Sequence, residues 1–123
     1  MATAETQEFI DEAGAWFDTV HTSAGMQAEC ERIAAHLDEI GYDDDFEAML
    51  DYFEGISAWE NRTNAQGEFE SQLVWLAWGS PYITLDTATG EVWGNFGGAQ
   101  GAAQISEHAR RNINDFFRTL YDC

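Results

Sequence analysis

At 123 residues the chain can build one domain around one sizeable core, and its 45% apolar and 14% aromatic content excludes a disordered acidic tail. Twenty-three acids against five arginines and no lysine give a formal net charge of −18, a field that opposes direct contact with nucleic acids or anionic membranes and favours basic surfaces. No run of residues approaches the roughly 18 apolar positions of a membrane span.

The sequence reads as a single domain over residues 1–123, with no internal repeat, low-complexity tract or linker. The N-terminus has no basic region followed by an apolar run, so a secretory signal is not expected. Cys30 and Cys123 are too few for a disulfide framework and have no metal-ligand spacing, which fits a cytoplasmic protein with reduced thiols. The charge is uneven: residues 1–70 hold 18 acids and two arginines, whereas residues 71–123 hold five acids and three arginines.

Helices are expected first. Phe9, Ala13, Trp16, Phe17 and Val20 fall on one face of a helix over about 3–19. Met26, Cys30, Ile33, Leu37 and Ile40 repeat the pattern, with Thr22 or Ser23 as N-cap and Gly41 as the stop. Phe46, Met49, Leu50 and Phe53 predict a third helix ending at Gly55.

Strands follow. Residues 56–62 predict one strand, and a polar turn leads to a second at 68–78 that is apolar on both faces. Residues 82–86 and 91–96 predict a hairpin around Thr87-Ala88-Thr89-Gly90. A final helix over 106–121 presents Ala109, Ile113, Phe116, Phe117 and Leu120 on its inner face, with Ile105 at its start. The fold class is therefore α+β: two or three N-terminal helices, an antiparallel meander of three or four strands, and a C-terminal helix packed on the sheet.

Glu39, Asp43, Asp44, Asp45, Glu47, Asp51 and Glu54 crowd one short segment. As one continuous helix these 16 residues would span about 24 Å and carry a charge every ~3.4 Å, near the axial spacing along one DNA strand. Glu8, Asp11 and Glu12 add acids from the first predicted helix. Glu39/Asp43, Asp43/Glu47, Glu47/Asp51 and Glu8/Glu12 are like-charged pairs four residues apart, each costing about 0.2–0.5 kcal/mol on a helix. These ten acids are the expected partner-binding residues. Asp43, Asp45, Glu47, Asp51 and Glu54 also match calcium-loop spacing, but Ala48 stands where the loop needs glycine and the apolar stripe favours helix.

No catalytic constellation stands out, and no metal, cofactor or enzymatic role is expected. His21, His36 and His108 lack ligand spacing, and Asp86 with Glu91 reads as ordinary turn chemistry. Ser80 lacks the glycines of a nucleophile elbow, and Gly94, Gly97 and Gly98 form no phosphate-binding pattern. Asn61-Arg62-Thr63 is a glycosylation sequon that matters only in a secreted protein. Trp59, Trp75, Trp78 and Trp93 belong to the sheet region, most of them expected in the core, with one or two of them candidates for an exposed anchor beside the acids.

Gly79-Ser80-Pro81-Tyr82-Ile83-Thr84-Leu85-Asp86-Thr87 and Gly90-Glu91-Val92-Trp93-Gly94 resemble a hairpin of small proteins from phages and conjugative elements. Asn112-Ile113-Asn114-Asp115-Phe116-Phe117 is similar to their C-terminal helix. The size and charge separately resemble the acidic DNA-mimic proteins that disarm restriction or CRISPR enzymes. That likeness implies an inhibitor, monomeric or a small homo-oligomer, that occupies the basic groove of a nucleic-acid-binding complex. The alternative is adaptation to a saline cytoplasm, in which acidity serves solubility and function lies elsewhere. Acids would then be spread more evenly than they are.

Overall fold

Met26, Cys30, Ile33 and Leu37 come together on the buried face of helix α1 (Ser23–Tyr42), which starts where the Thr22 hydroxyl accepts the Gly25 amide at 3.0 Å. A computed structural model describes residues 19–56, 58–77 and 81–122; the predicted helix over 3–19 lies outside them, save its last residue. Helix α2 (Phe46–Phe53) follows after a short turn. Five strands come next: β1 (Trp59–Thr63), β2 (Phe69–Ala77), β3 (Tyr82–Asp86), β4 (Glu91–Phe96) and β5 (Ala99–Gln104). Helix α3 (Glu107–Tyr121) closes the chain, with Ser106 as its N-cap.

The strands pair antiparallel in the order β1-β2-β3-β4-β5, a meander of nearest neighbours. Val74, Ile83, Leu85 and Val92 point from its centre into the core, where they meet α1 and the Ile113, Phe116 and Phe117 face of α3. Each such side chain contributes about 1.5–3 kcal/mol on full burial. No helix among the described residues is long and apolar enough to cross a membrane.

The sheet has five strands, not the three or four expected. The sequence of β5, Ala-Gln-Gly-Ala-Ala-Gln, carries no β-branched or aromatic residue. Its small side chains are there because α1 lies directly on it: a Cβ at Gly101 would sit 2.6 Å from the backbone N and Cα of Gln27. The Gln27 amide accepts from the Ala102 N–H at 2.9 Å and donates to the Ala102 carbonyl at 2.7 Å, capping part of an otherwise open sheet edge.

Gly41 likewise departs from expectation. It does not stop α1 but lies buried within it, where a Cβ would come 2.9 Å from the Ala109 Cβ of α3. The chain turns later, at Asp44, the only described non-glycine residue with positive φ (51°). Leu50 and Phe46, expected on the core stripe of α2, are 45% and 43% exposed, and Leu120 of α3 is 41% exposed. Met49, Phe53 and the upper part of α3 fill the core without them.

Two outcomes test this packing. Gly101→Ala should destabilise the protein by about 1–3 kcal/mol in urea denaturation, because the methyl meets helix backbone that cannot turn aside. Burial, reinforced by the Glu29 and Glu31 carboxylates, pushes the Cys30 thiol up to about 11. Only on the order of one molecule in a thousand then carries the thiolate at pH 8. Iodoacetamide should leave Cys30 unlabelled in the native protein and label it in urea, as read by peptide mass mapping; rapid native labelling would contradict the core described here.

Candidate partner-binding surface

The seven acids of residues 39–54 do not lie on one helix. Glu39 belongs to the last turn of α1, Asp43 caps it, Asp44 makes the turn, and Asp45 begins α2 by accepting the Ala48 amide at 3.1 Å. The expected 24 Å rod with one charge every 3.4 Å is therefore broken into a helix end, a turn and a second helix. The cause is local. The Asp45 carboxylate starts a fresh hydrogen-bonded turn, and the left-handed Asp44 redirects the chain into it.

All seven side chains are exposed. Their local costs differ. Asp45 and Glu47 sit at the positive end of α2, where acids are favourable. Glu39 and Asp43 sit at the negative end of α1, which has no basic residue in its last turn. Glu47 and Asp51 remain true neighbours within α2, whereas Asp43 and Glu47 are separated by the turn. Glu8, Asp11 and Glu12 lie outside the described residues.

The arginines are spent elsewhere. Arg32 pairs with Glu29, Arg62 with Asp86, Arg110 and Arg111 with Glu107, and Arg118 with Asp115. Hydrogen bonds from Arg110 and then Arg111 hold the Glu107 carboxyl down to about 2. All five cationic side chains are thus engaged by acids outside 39–54, and none offsets the seven.

The other candidates resolve simply. The would-be calcium loop is helical over Phe46–Phe53, and among the described residues no cluster of His, Cys, Asp and Glu is arranged to hold a metal. Asp86 accepts from Arg62 and from the Ala88 amide, as a turn residue does, and faces Glu91 across the hairpin. His36 packs against Tyr52 and His108 against Tyr42, with ring centroids 5.0 and 4.8 Å apart. Asn61 of the sequon is the partner of Gln72 across β1–β2. Gly94 is a strand residue, packed against Met26. Ser80 and Trp78 lie outside the described residues.

Sequence reasoning missed a groove of about 520 Å³ where the end of α2 faces α3 across the β1–β2 strands. Asp51 and Glu54 stand on it, with Leu50, Trp59, Leu120 and Tyr121 around them. The only sequence signals were apolar residues at the edges of two helical stripes and a tryptophan in a polar strand. Trp59, 51% exposed, lines the groove near Asp51 and Glu54.

A buried hydrogen-bond relay fixes the wall of this groove. Thr87, fully buried in the β3–β4 turn, accepts the Gln72 backbone N–H at 2.8 Å and donates to Asn114 Oδ1 at 2.6 Å. Asn114 Nδ2 in turn donates to the Glu70 carbonyl at 3.0 Å. Asn114→Ala should therefore cost about 1–3 kcal/mol, because it leaves the fully buried Thr87 hydroxyl without its acceptor. Chemical denaturation measures it, and a loss below half a kilocalorie would show the relay to be incidental.

Comparison with protein-family models, curated proteins and solved structures finds no match, which leaves the geometry of this surface to indicate its role.

Proposed function

We propose that this chain inhibits a nucleic-acid-binding complex of a host defence system, of the restriction or CRISPR kind, by laying the acids of residues 39–54 into its basic groove. The observation that carries the reading is the division of charge. Among the described residues, seven exposed acids sit together without an ion pair to arginine, and every arginine is engaged elsewhere. A fold that needed only solubility would gain from placing some of those arginines among the acids, above all at the C-terminal end of α1, where a cation is favoured by about 0.3–1 kcal/mol.

Such a surface acts in two stages. At long range a net charge of −18 draws a basic partner in, and steering of this kind raises association rates toward 10⁸–10⁹ M⁻¹s⁻¹ at low salt. At contact, carboxylates accept short hydrogen bonds from arginine and lysine, about 2.7–2.9 Å long, in place of phosphate oxygens. The bent arrangement presents charge from two helices and a turn rather than along a straight strand.

A triple reversal, Glu39→Lys/Asp43→Lys/Glu47→Lys, tests the reading while sparing the left-handed Asp44 and the capping Asp45. The assay is competition between this protein and DNA or RNA for the basic partner recovered by pull-down. The variant should compete at least about tenfold less well, and wild-type binding should weaken as added salt shortens the Debye length below its physiological value of about 8 Å. Its melting temperature should hold or rise slightly, because two of the changes place cations at the negative end of α1. Equal competition by both proteins would overturn the proposal. Salt adaptation predicts something else: intact activity at moderate salt and a loss confined to high-salt solubility.

A further inference from the structure

We infer that the groove between α2, α3 and the β1–β2 strands is the anchor site for a partner polypeptide segment, one that inserts an apolar side chain and sets an arginine beside Asp51 and Glu54. The inference extends the proposed function, since those two acids belong to both surfaces, but it is tested separately.

Three observations meet there. Leu50, Trp59, Leu120 and Tyr121, each 41–51% exposed, stand around one opening instead of being scattered. Clustered apolar exposure of this kind marks interaction sites, whereas isolated exposed residues do not. The lining also contains two acids and no base, and neither acid is in an ion pair among the described residues. Finally, Gln72 lines the groove at 5% exposure. Its amide nitrogen donates to Asn61, but its Oε1 is buried without a hydrogen-bond partner. A stranded buried acceptor is costly, and a donor entering the groove relieves it once the Gln72 side chain turns outward.

The chemistry of the occupant follows from that set. The apolar walls want an aliphatic or aromatic side chain, and the acids want a cation. The orphan oxygen wants a donor. Arginine supplies five N–H groups in a planar fork, enough to bridge more than one acceptor, and its face stacks on an exposed indole such as Trp59. A small-molecule pocket encloses most of its ligand. Here the large apolar residues remain open at the rim, the form taken by a pocket that receives an anchor residue from a protein partner.

A phage-displayed library of random peptides, panned on the full chain, tests the assignment without knowledge of the partner. Enriched sequences should pair a bulky apolar residue with an arginine a few positions away. A synthetic peptide of the consensus should shift the backbone amides of Ile56, Gln72, Val74 and Leu120 in a saturable NMR titration. Leu50→Ser/Leu120→Ser, at two exposed positions, should weaken that peptide by at least about tenfold with little change in melting temperature. Asp51→Asn/Glu54→Gln should weaken it by a similar factor, and replacing the peptide's arginine by glutamine should then add little, the signature of a direct pair. The Glu39→Lys/Asp43→Lys/Glu47→Lys variant should bind the peptide within a few-fold of wild type, so failure of nucleic-acid competition and failure of the groove are read independently. A library without enrichment, a consensus lacking arginine, or binding indifferent to Leu50 and Leu120 would overturn the inference. So would concentration-dependent dimerisation in sedimentation that the Leu50→Ser/Leu120→Ser pair abolishes, which would give the groove to a second copy of the chain.

Discussion

A threonine hydroxyl with no exposure to water holds the two halves of this molecule in register. Thr87 lies in the turn between β3 and β4, yet its hydrogen bonds run sideways to β2 through the Gln72 backbone N–H and outward to α3 through Asn114. Arg110 adds a bond from α3 to the Thr87 carbonyl at 3.0 Å. Apolar packing alone would let α3 slide along the sheet by a fraction of a turn at modest cost, because hydrophobic contact has little directionality. The hydroxyl and the amide remove that freedom. They set where Phe116, Phe117 and Leu120 fall, and so they define the groove that the C-terminal part of α3 shares with α2 and β2.

The same helix ties down the acidic segment. Asn112 donates to the Gly41 carbonyl at 2.8 Å, the Ser106 amide donates to Asp38 at 2.7 Å, and Gly41 allows α1 and α3 to touch nearly backbone to side chain. The end of α1, from which the acids project, is therefore clamped rather than frayed. Mutual repulsion among Glu39, Asp43 and Asp44 would otherwise favour unwinding there. The clamp orders the backbone from which these exposed carboxylates project.

How far the sequence spoke for itself depended on which force placed each residue. The β3–β4 hairpin was legible because Ile83, Leu85 and Val92 alternate with polar neighbours around a glycine-containing turn, and both strands have the expected bounds. Helices α1 and α3 were legible from their apolar period and their caps, Thr22 and Ser106. Strand β5 was silent because close approach of a helix selects small residues, and smallness is not a strand signal. Gly41 misled for a related reason: a glycine read as a helix stop is in fact a contact point between helices. Of the candidate surface, the acids were plain in the sequence and their exposure followed. Their geometry did not, since a single left-handed aspartate undoes a continuous helix and leaves no mark on the charge pattern. The groove was hidden because exposure of Leu50 and Leu120 depends on how three elements meet, and periodicity counts both as core.

The docking of α1 on β5 also sets an order of events during synthesis. Gln27 and Ala102, joined by two hydrogen bonds, are separated by 75 positions, although every strand pairs with its neighbour in the chain. The sheet can zip up locally, one hairpin at a time, but α1 has no edge to cap until residues 99–104 have left the ribosome. Until then its apolar stripe, Met26 to Leu37, must wait in water or against a chaperone, and at translation rates of about 5–20 residues per second that wait lasts several seconds. A strongly acidic nascent segment is well suited to the interval, because like-charged chains repel and the exposed stripe is kept from finding a copy of itself.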